Sequence, residues 1–472
     1  MTSDLLSDLA AQIPELLLKT EAADLEFYGR DWTRRWKPAP LAIALPSSVE
    51  QVQAIVHWAK AQAVSIVPSG GRTGLSGGAV AAQGELVLSL ERMNRVLGFD
   101  AHDRILSVQA GMTLEAVHGA AREHGLIYPV DFAARGSCSI GGNIATNAGG
   151  IRVIRYGNTR NWIAGLSVIS GDGELLELNR GLVKNSSGYD LRQLMIGSEG
   201  TLGIVVEAQL WLTDPPPESN VMLLALPSFE SLMQVFGHLR ARLSLSAFEF
   251  LTDVALKHVV AHGAQAPFAD TYPYYVVTEF DAESPPQQEA ALGAFEALLE
   301  QGLVCDGVIA QSEAQAAALW RLREGITESL ARHLPYKNDI AVRIGAMPAF
   351  LAEAQVLLAQ AYPHFEVVWF GHIGDGNLHI NVLKPATMDN ADFVHECSRV
   401  TELLAKLLHQ HGGSISAEHG IGLVKKPYLA STRPETEIGM MRAIRQALDP
   451  AGTLNPGKLF DLDDTATQGE TP

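Results

Sequence analysis

Cysteine is scarce in this chain: three in 472 residues, Cys138, Cys305 and Cys397, each isolated and none in a C-x-x-C pair. Neither an iron–sulfur cluster nor a thiolate zinc site can be built from them, and a reducing compartment suits them. Positive charge is also short. Thirty-five Lys+Arg against 53 Asp+Glu leave a formal charge of −18, which denies the chain the broad basic face that a nucleic-acid partner requires. No apolar run approaches the ~18–20 residues that span a bilayer, so no membrane span is expected. Asp4 and Asp8 stand where a secretory signal would be positive. The expected location is cytoplasmic, or the mitochondrial matrix in a eukaryote. Two nucleotide signatures are missing as well. There is no G-x-G-x-x-G, and the Walker-like Gly452-TLNP-Gly457-Lys458 runs into Leu459 where a magnesium-binding hydroxyl belongs.

What remains is globular: 47% hydrophobic and 19% charged residues, over a length that allows two or three domains. The acidity carries one demand forward, because anionic ligands would have to be attracted by specific local groups. From Leu41 to Leu212, β-rich runs (64–67, 86–89, 105–109, 204–212) and an amphipathic helix over 49–62 predict an α+β domain. Asp214 and the three prolines after it end that segment, since consecutive prolines continue neither ladder nor helix. Two strand–helix–strand units follow, with strands at 221–226 and 274–279 and helices at 229–243 and 287–301, predicting a ferredoxin-like antiparallel sheet covered by helices. A helix over 434–448, a Pro/Gly-rich segment and a polar tail expected to be disordered close the chain. The expected domains are thus 1–214, 215–420 and 421–472.

The 43 glycines are clustered. Pro68-Ser69-Gly70-Gly71-Arg72-Thr73-Gly74 opens a run to Gly78 directly behind the strand at 65–67. Successive glycines let several N–H groups converge on phosphate oxygens without a cationic side chain; a plain mobile hairpin loop is the alternative. A second segment, Gly136 to Gly150, is almost all small residues and permits close approach of backbone to a flat ligand. A third, Gly197-Ser-Glu-Gly-Thr-Leu-Gly203, runs into a strand.

In wording and order these three segments resemble the FAD-binding domain of the vanillyl-alcohol oxidase/p-cresol methylhydroxylase superfamily. The resemblance implies a two-part FAD-binding domain in which Pro68, Ser69, Gly70, Gly71, Arg72, Thr73 and Gly74 hold the pyrophosphate. It likewise implies that Gly136, Ser137, Gly142, Asn143 and Thr146 line the flavin and that Ile204 contacts the adenine side. Some members attach FAD through a histidine in the first loop; here that position is Arg72, so non-covalent FAD is expected. Cys138 is read as a small packed residue.

The second informative region is His372-Ile-Gly-Asp-Gly-Asn-Leu-His379-Ile-Asn381, followed by Ser416-Ala-Glu418-His419-Gly-Ile-Gly422. A strand at 367–370, a tight turn at 374–376 and a returning strand at 378–383 let His372 and His379 face each other, with Asn381 on the face of His379. Two imidazoles and a carboxylate suit Zn²⁺, with Mn²⁺ or Fe²⁺ as alternatives. A metal there would lower the pKa of a 2-hydroxy acid's hydroxyl, and a nearby imidazole could take its proton as hydride leaves C2 for the flavin. His419 is the candidate base. These motifs resemble the metal-dependent D-2-hydroxyacid dehydrogenases. By that resemblance His372, His379 and Glu418 are metal ligands, Asn381 contacts the substrate carboxylate and His419 is catalytic, while 449–457, including Asn455, returns to the FAD domain.

Trp320 to Glu328 reads as a helix that would put Arg323 and Thr327 on one face, with Lys337 shortly after. An Arg fork, a hydroxyl and an ammonium would suit a second carboxylate; a solvated charged face is the alternative reading. R-x-x-x-T and the later Y-K resemble the substrate grip of D-2-hydroxyglutarate dehydrogenases. Relatives acting on lactate or glycolate commonly read G-E-H-G where this chain has Ser416-Ala-Glu418-His419, which favours a dicarboxylate. A D-lactate or glycolate dehydrogenase is the same-class alternative, and an alkyl-glycerone-phosphate synthase-like transferase is a more distant one. With no nicotinamide fold and no cluster, electrons are expected to pass to a separate partner such as electron transfer flavoprotein or a quinone-linked carrier. A homodimer is compatible with the sequence.

Overall fold

The computed structural model describes residues 2–462; the polar tail lies outside them. The chain divides into two units, one of residues 1–149, 158–215 and 418–472, the other of 150–157 and 216–417. The expectation of a first domain unbroken to 214 therefore misses residues 150–157, which belong to the second unit. There Arg152 donates to Glu279 from Nε and Nη2 at 2.8 and 2.9 Å, and Arg155 pairs with Asp281.

In the first unit, Leu17–Lys19, Ala42–Leu45, Leu86–Ser89 and Ile66–Ser69 form a four-stranded sheet in that order, parallel across its last three strands. The three parallel strands are short and almost wholly buried, as parallel strands covered on both faces must be. Helix Val49–Ala61 begins where the Ser48 hydroxyl accepts the Gln51 N–H, and it buries Val52, Ile55, Val56 and Ala59 along one stripe. A five-stranded antiparallel sheet, Val96–Asp100, Ile105–Gln109, Ile204–Trp211, Ile163–Ile169 and Leu175–Leu178, shares the same apolar core.

The second unit holds a seven-stranded sheet whose neighbours all pair antiparallel. Four strands, Asp306–Ile309, Ser219–Leu226, Tyr274–Asp281 and Leu245–Thr252, lie in the spatial order fourth, first, third, second, the ferredoxin-like order the sequence suggested. Three further strands, Glu366–Gly371, Asn377–Leu383 and Tyr336–Ala341, extend one edge. The window Ile344–Ala361 is long and apolar enough, by length and composition, to cross a membrane, which corrects the statement that no run approaches that size. Its α-helical part, Met347–Ala361, rises only about 22 Å, less than the roughly 30 Å of a hydrocarbon core. It buries Met347, Phe350, Leu351, Ala354 and Leu358 at the spacing of a core-facing stripe.

Helix Glu435–Leu448 ends at Asp449, which is fully buried and accepts N–H groups of Thr453 and Leu454, both at 2.9 Å. That turn aims the chain so that Ile66 donates to Thr453 O at 2.8 Å and accepts from Asn455 N at 2.7 Å. The C-terminal segment thereby extends the sheet beside the first glycine loop. Asp449→Ala leaves two buried N–H groups unpaired, and the expected loss is about 3 kcal/mol of stability, read from the denaturant midpoint. Asp449→Asn should lose clearly less.

Candidate functional site

The three glycine segments of the first unit meet. Strand Ile66–Ser69 delivers the loop from Gly70, and a methyl at Gly70 would collide with the Ser139 hydroxyl, one at Gly71 with the Ser137 carbonyl. Only glycine allows this approach. Helix Ile140–Thr146 starts at Ser139, whose hydroxyl accepts the Gly142 N–H at 3.3 Å, and the Thr146 hydroxyl donates to Gly142 O at 3.0 Å. The third segment docks on that helix, with Gly197 and Glu199 donating N–H to Ile144 O and Ala145 O at 2.9 and 2.8 Å. The Asn455 side chain closes the group, donating to Gly78 O at 3.0 Å and Glu199 O at 2.7 Å.

This cradle fits FAD by its unused polar atoms. Ser69 Oγ, Asn143 Nδ2 and Asn455 Oδ1 are buried and lack hydrogen-bond partners among the described residues, so polar atoms of a ligand would find partners there. At Gly74 a side chain would meet open space, and at Gly136 the nearest atom is Glu115 Oε2 at 3.3 Å. Ile204 is buried in the core at the start of its strand. Arg72, with a left-handed φ of 58°, folds back to donate to Gly70 O at 3.0 Å. Its guanidinium lies 4.7 and 4.6 Å from the ring centres of Phe27 and Tyr28.

In the second unit the hairpin behaves as its sequence indicated. Phe370 pairs with His379 and Val368 with Asn381 between strands Glu366–Gly371 and Asn377–Leu383, and His372 follows the first of these. The two imidazoles stand edge to face with centroids 5.2 Å apart. Strand Tyr336–Ala341, not anticipated from the sequence, sets Lys337 opposite Asn381 and Asp339 opposite His379. Burial lowers the Lys337 pKa. The chain then returns past Ala341, which exchanges backbone hydrogen bonds with Ser414, to Ala417 and Glu418. One donor atom each of His372, His379 and Glu418 lie within 4.8 Å of one another, so the three are within reach of one ion. His419, half-buried, follows directly.

Two carboxylates that sequence reasoning missed stand behind the histidines. Glu249 receives His372 Nδ1 at 2.9 Å, and Asp339 lies 3.6 Å from His379 Nδ1 and accepts the Asn377 amide at 2.9 Å. A contact like that of Glu249 fixes the tautomer and ring orientation of a histidine, while Asp339 approaches His379 at ion-pair distance. Their only sequence signal was a lone acid inside an otherwise buried strand, Ala247-Phe248-Glu249-Phe250-Leu251. Asp375, in the turn, has its pKa pushed up to about 6, chiefly by burial and against the pull of His372.

The substrate grip differs from expectation in one respect. The helix is interrupted at Gly325, between Glu313–Glu324 and Ile326–Leu330; Arg323 is buried and Thr327 exposed, so the two do not share one face. Arg323 Nη2 is 2.9 Å from Glu249 Oε2.

Two family descriptions match the chain: an FAD binding domain over residues 40–179 and the C-terminal domain of FAD-linked oxidases over 215–459. The chain belongs to the FAD-linked oxidase family. The chain is 73% identical over 467 residues, 99% of each chain, to a protein of Xanthomonas citri pathovar viticola named D-2-hydroxyglutarate dehydrogenase. It is 50% identical to one of that name from Stutzerimonas stutzeri, covering 97% and 98% of the two chains. A Schizosaccharomyces pombe protein named a putative D-lactate dehydrogenase is 34% identical, over 93% and 85%. The structure of p-cresol methylhydroxylase superposes with a TM-score of 0.75 at 15% identity over 98% and 97% of the chains. That of alkyldihydroxyacetonephosphate synthase gives 0.72 at 18%, over 96% and 86%. These two likenesses show the fold.

One more residue emerges from the geometry. Glu199, buried and left-handed at φ 53°, accepts the N–H groups of Ile421 and Gly422 at 2.6 and 2.8 Å. It thereby holds the loop that directly follows Glu418 and His419. Burial raises its pKa to about 6, with the two N–H bonds opposing.

Gly71→Ala should purify without flavin absorbance, whereas Gly74→Ala should retain it. Because Glu199 binds its proton more tightly folded than unfolded, wild type should gain stability relative to Glu199→Gln as pH falls from about 6 to 4.5. Melting temperatures of the pair across that range would measure it.

Proposed function

We propose that this chain is an FAD- and divalent-metal-dependent dehydrogenase that oxidises D-2-hydroxyglutarate to 2-oxoglutarate. The observation that carries this reading is the proximity of donor atoms of His372, His379 and Glu418, with a buried acid near each imidazole and with Lys337 paired to Asn381 beside His379. The close relatives named for that activity support the substrate.

In this reading His372, His379 and Glu418 would hold the ion, Zn²⁺ by preference of the donor set, with Mn²⁺ or Fe²⁺ as alternatives. A bound cation acidifies the substrate hydroxyl, and bound FAD takes up the hydride from C2. The rest is the chain's own work. His419 accepts the hydroxyl proton as the C2–H bond breaks, leaving the ketone. Asn381 Nδ2 orients the near carboxylate. Arg323 and Lys337 hold the far one. Buried Nε–H and Nη2–H groups of Arg323 lack hydrogen-bond partners in the protein, which suits an incoming carboxylate. Electrons then pass to a separate carrier, such as electron transfer flavoprotein or a quinone-linked protein. A D-lactate or glycolate substrate is the second reading, favoured by the name of the fission-yeast relative.

Stopped-flow bleaching of the flavin by D- and L-2-hydroxy acids, with and without chelator, tests both. The expected result is fastest bleaching by D-2-hydroxyglutarate and its loss on chelation. No bleaching by any D-acid would overturn the proposal, and faster bleaching by D-lactate would select the second reading. Arg323→Lys keeps a cation beside Glu249 but loses the fork. It should raise the KM for D-2-hydroxyglutarate about tenfold or more while leaving that for D-lactate nearly unchanged.

A further inference from the structure

Glu249 has two cationic or donor neighbours with different tasks. Its strand, Leu245–Thr252, is buried almost throughout, and the Glu249 side chain is 1% exposed. One carboxylate oxygen, Oε1, takes the His372 Nδ1 contact at 2.9 Å; the other, Oε2, stands 2.8 Å from the same nitrogen and 2.9 Å from Arg323 Nη2. Arg323 is itself buried, and Phe370 lies under its guanidinium, 5.0 Å from charge to ring centre. The Arg323–Glu249 approach is not a well-aligned hydrogen bond: Glu249 Oε2 and Arg323 Nη2 both remain without one. Glu249 therefore compensates the arginine's charge while leaving its N–H directions open.

We infer that Glu249 is a positioning residue that couples the metal ligand His372 to the carboxylate-selecting Arg323, so that one buried acid sets both metal affinity and preference for a dicarboxylic substrate. The physical grounds are separate for the two ends. Accepting from Nδ1 fixes the imidazole as the tautomer whose Nε2 lone pair is free to ligate. An uncompensated guanidinium cannot stay buried at the sheet, so removing the acid's charge should displace Arg323. The second half rests on the reading of Arg323 as the grip on the far carboxylate.

The test uses Glu249→Gln and Glu249→Asp in the purified FAD-bound protein. Gln keeps an oxygen for His372 but removes the charge; Asp keeps the charge but shortens its reach. Zn²⁺ affinity of the metal-stripped protein, by calorimetry, should fall about 10–100-fold in either variant. Binding of D-2-hydroxyglutarate relative to D-lactate, read from the flavin spectrum, should lose at least about tenfold of its preference in Gln and less in Asp. Unchanged Zn²⁺ affinity, or a fall in affinity with the preference intact in Gln, would overturn the coupling. If the Gln variant does not retain FAD, the Asp variant decides through the metal isotherm: wild-type affinity there would overturn it. A wild-type protein that binds neither acid would overturn the proposed substrate and not the calorimetric half.

Discussion

A carboxylate taken out of water has to be met by donors, and four buried acids organise this molecule around that requirement. Asp449 gathers Thr453 and Leu454 N–H and turns the C-terminal segment onto the first sheet. Glu199 gathers Ile421 and Gly422 N–H and anchors the loop after Glu418-His419. Glu249 and Asp339 stand behind the two histidines. In each case the acid fixes the position of its neighbours, because an unmet buried partner is costly and so only one arrangement satisfies both.

The same economy of donors explains how a chain of formal charge −18 can hold anions. The glycine loop lies closer to the 137–139 segment than any side chain would allow, since methyls at Gly70 or Gly71 would collide with it. The cations near the histidines, Arg323 and Lys337, are both shielded from solvent. Charge buried among low-polarity neighbours acts on a ligand with little screening, so two well-placed cations outweigh many distant surface acids.

Much of this was legible in the sequence because it lies in local pattern. The strands at 86–89 and 105–109 fall where alternation and apolar runs put them, and the glycine segments and the histidine hairpin announce themselves by composition. What stayed hidden depends on distant partners. Glu249 and Asp339 look like ordinary acids until strand pairing sets them behind His372 and His379, and Tyr336–Ala341 is a strand only because Asn377–Leu383 offers it an edge. Residues 150–157 join the second unit through Glu279 and Asp281, more than a hundred positions away. The break at Gly325 was readable in principle, since glycine weakens a helix interior, but the exposure of Thr327 follows from it only once the flanking helices have packed.

The charges around the histidines add a constraint that no single pair reveals. Glu249, Asp339, Asp375 and Glu418 are four acids against one guanidinium and one ammonium, Arg323 and Lys337. With all four ionised, a dianion gripped by Arg323 and Lys337, as proposed, would meet a net negative field. The pKa of Asp375 is raised chiefly by burial, with Glu249 and Asp339 adding to the rise and His372 opposing it. A dication among His372, His379 and Glu418 would cancel the negative field, turning an acid-rich pocket into one that accepts a dicarboxylate. On the proposed reading, the acids beside the histidines would set a negative field, and a cation held by His372, His379 and Glu418 would offset it, so that the proposed metal set and anion grip would act together.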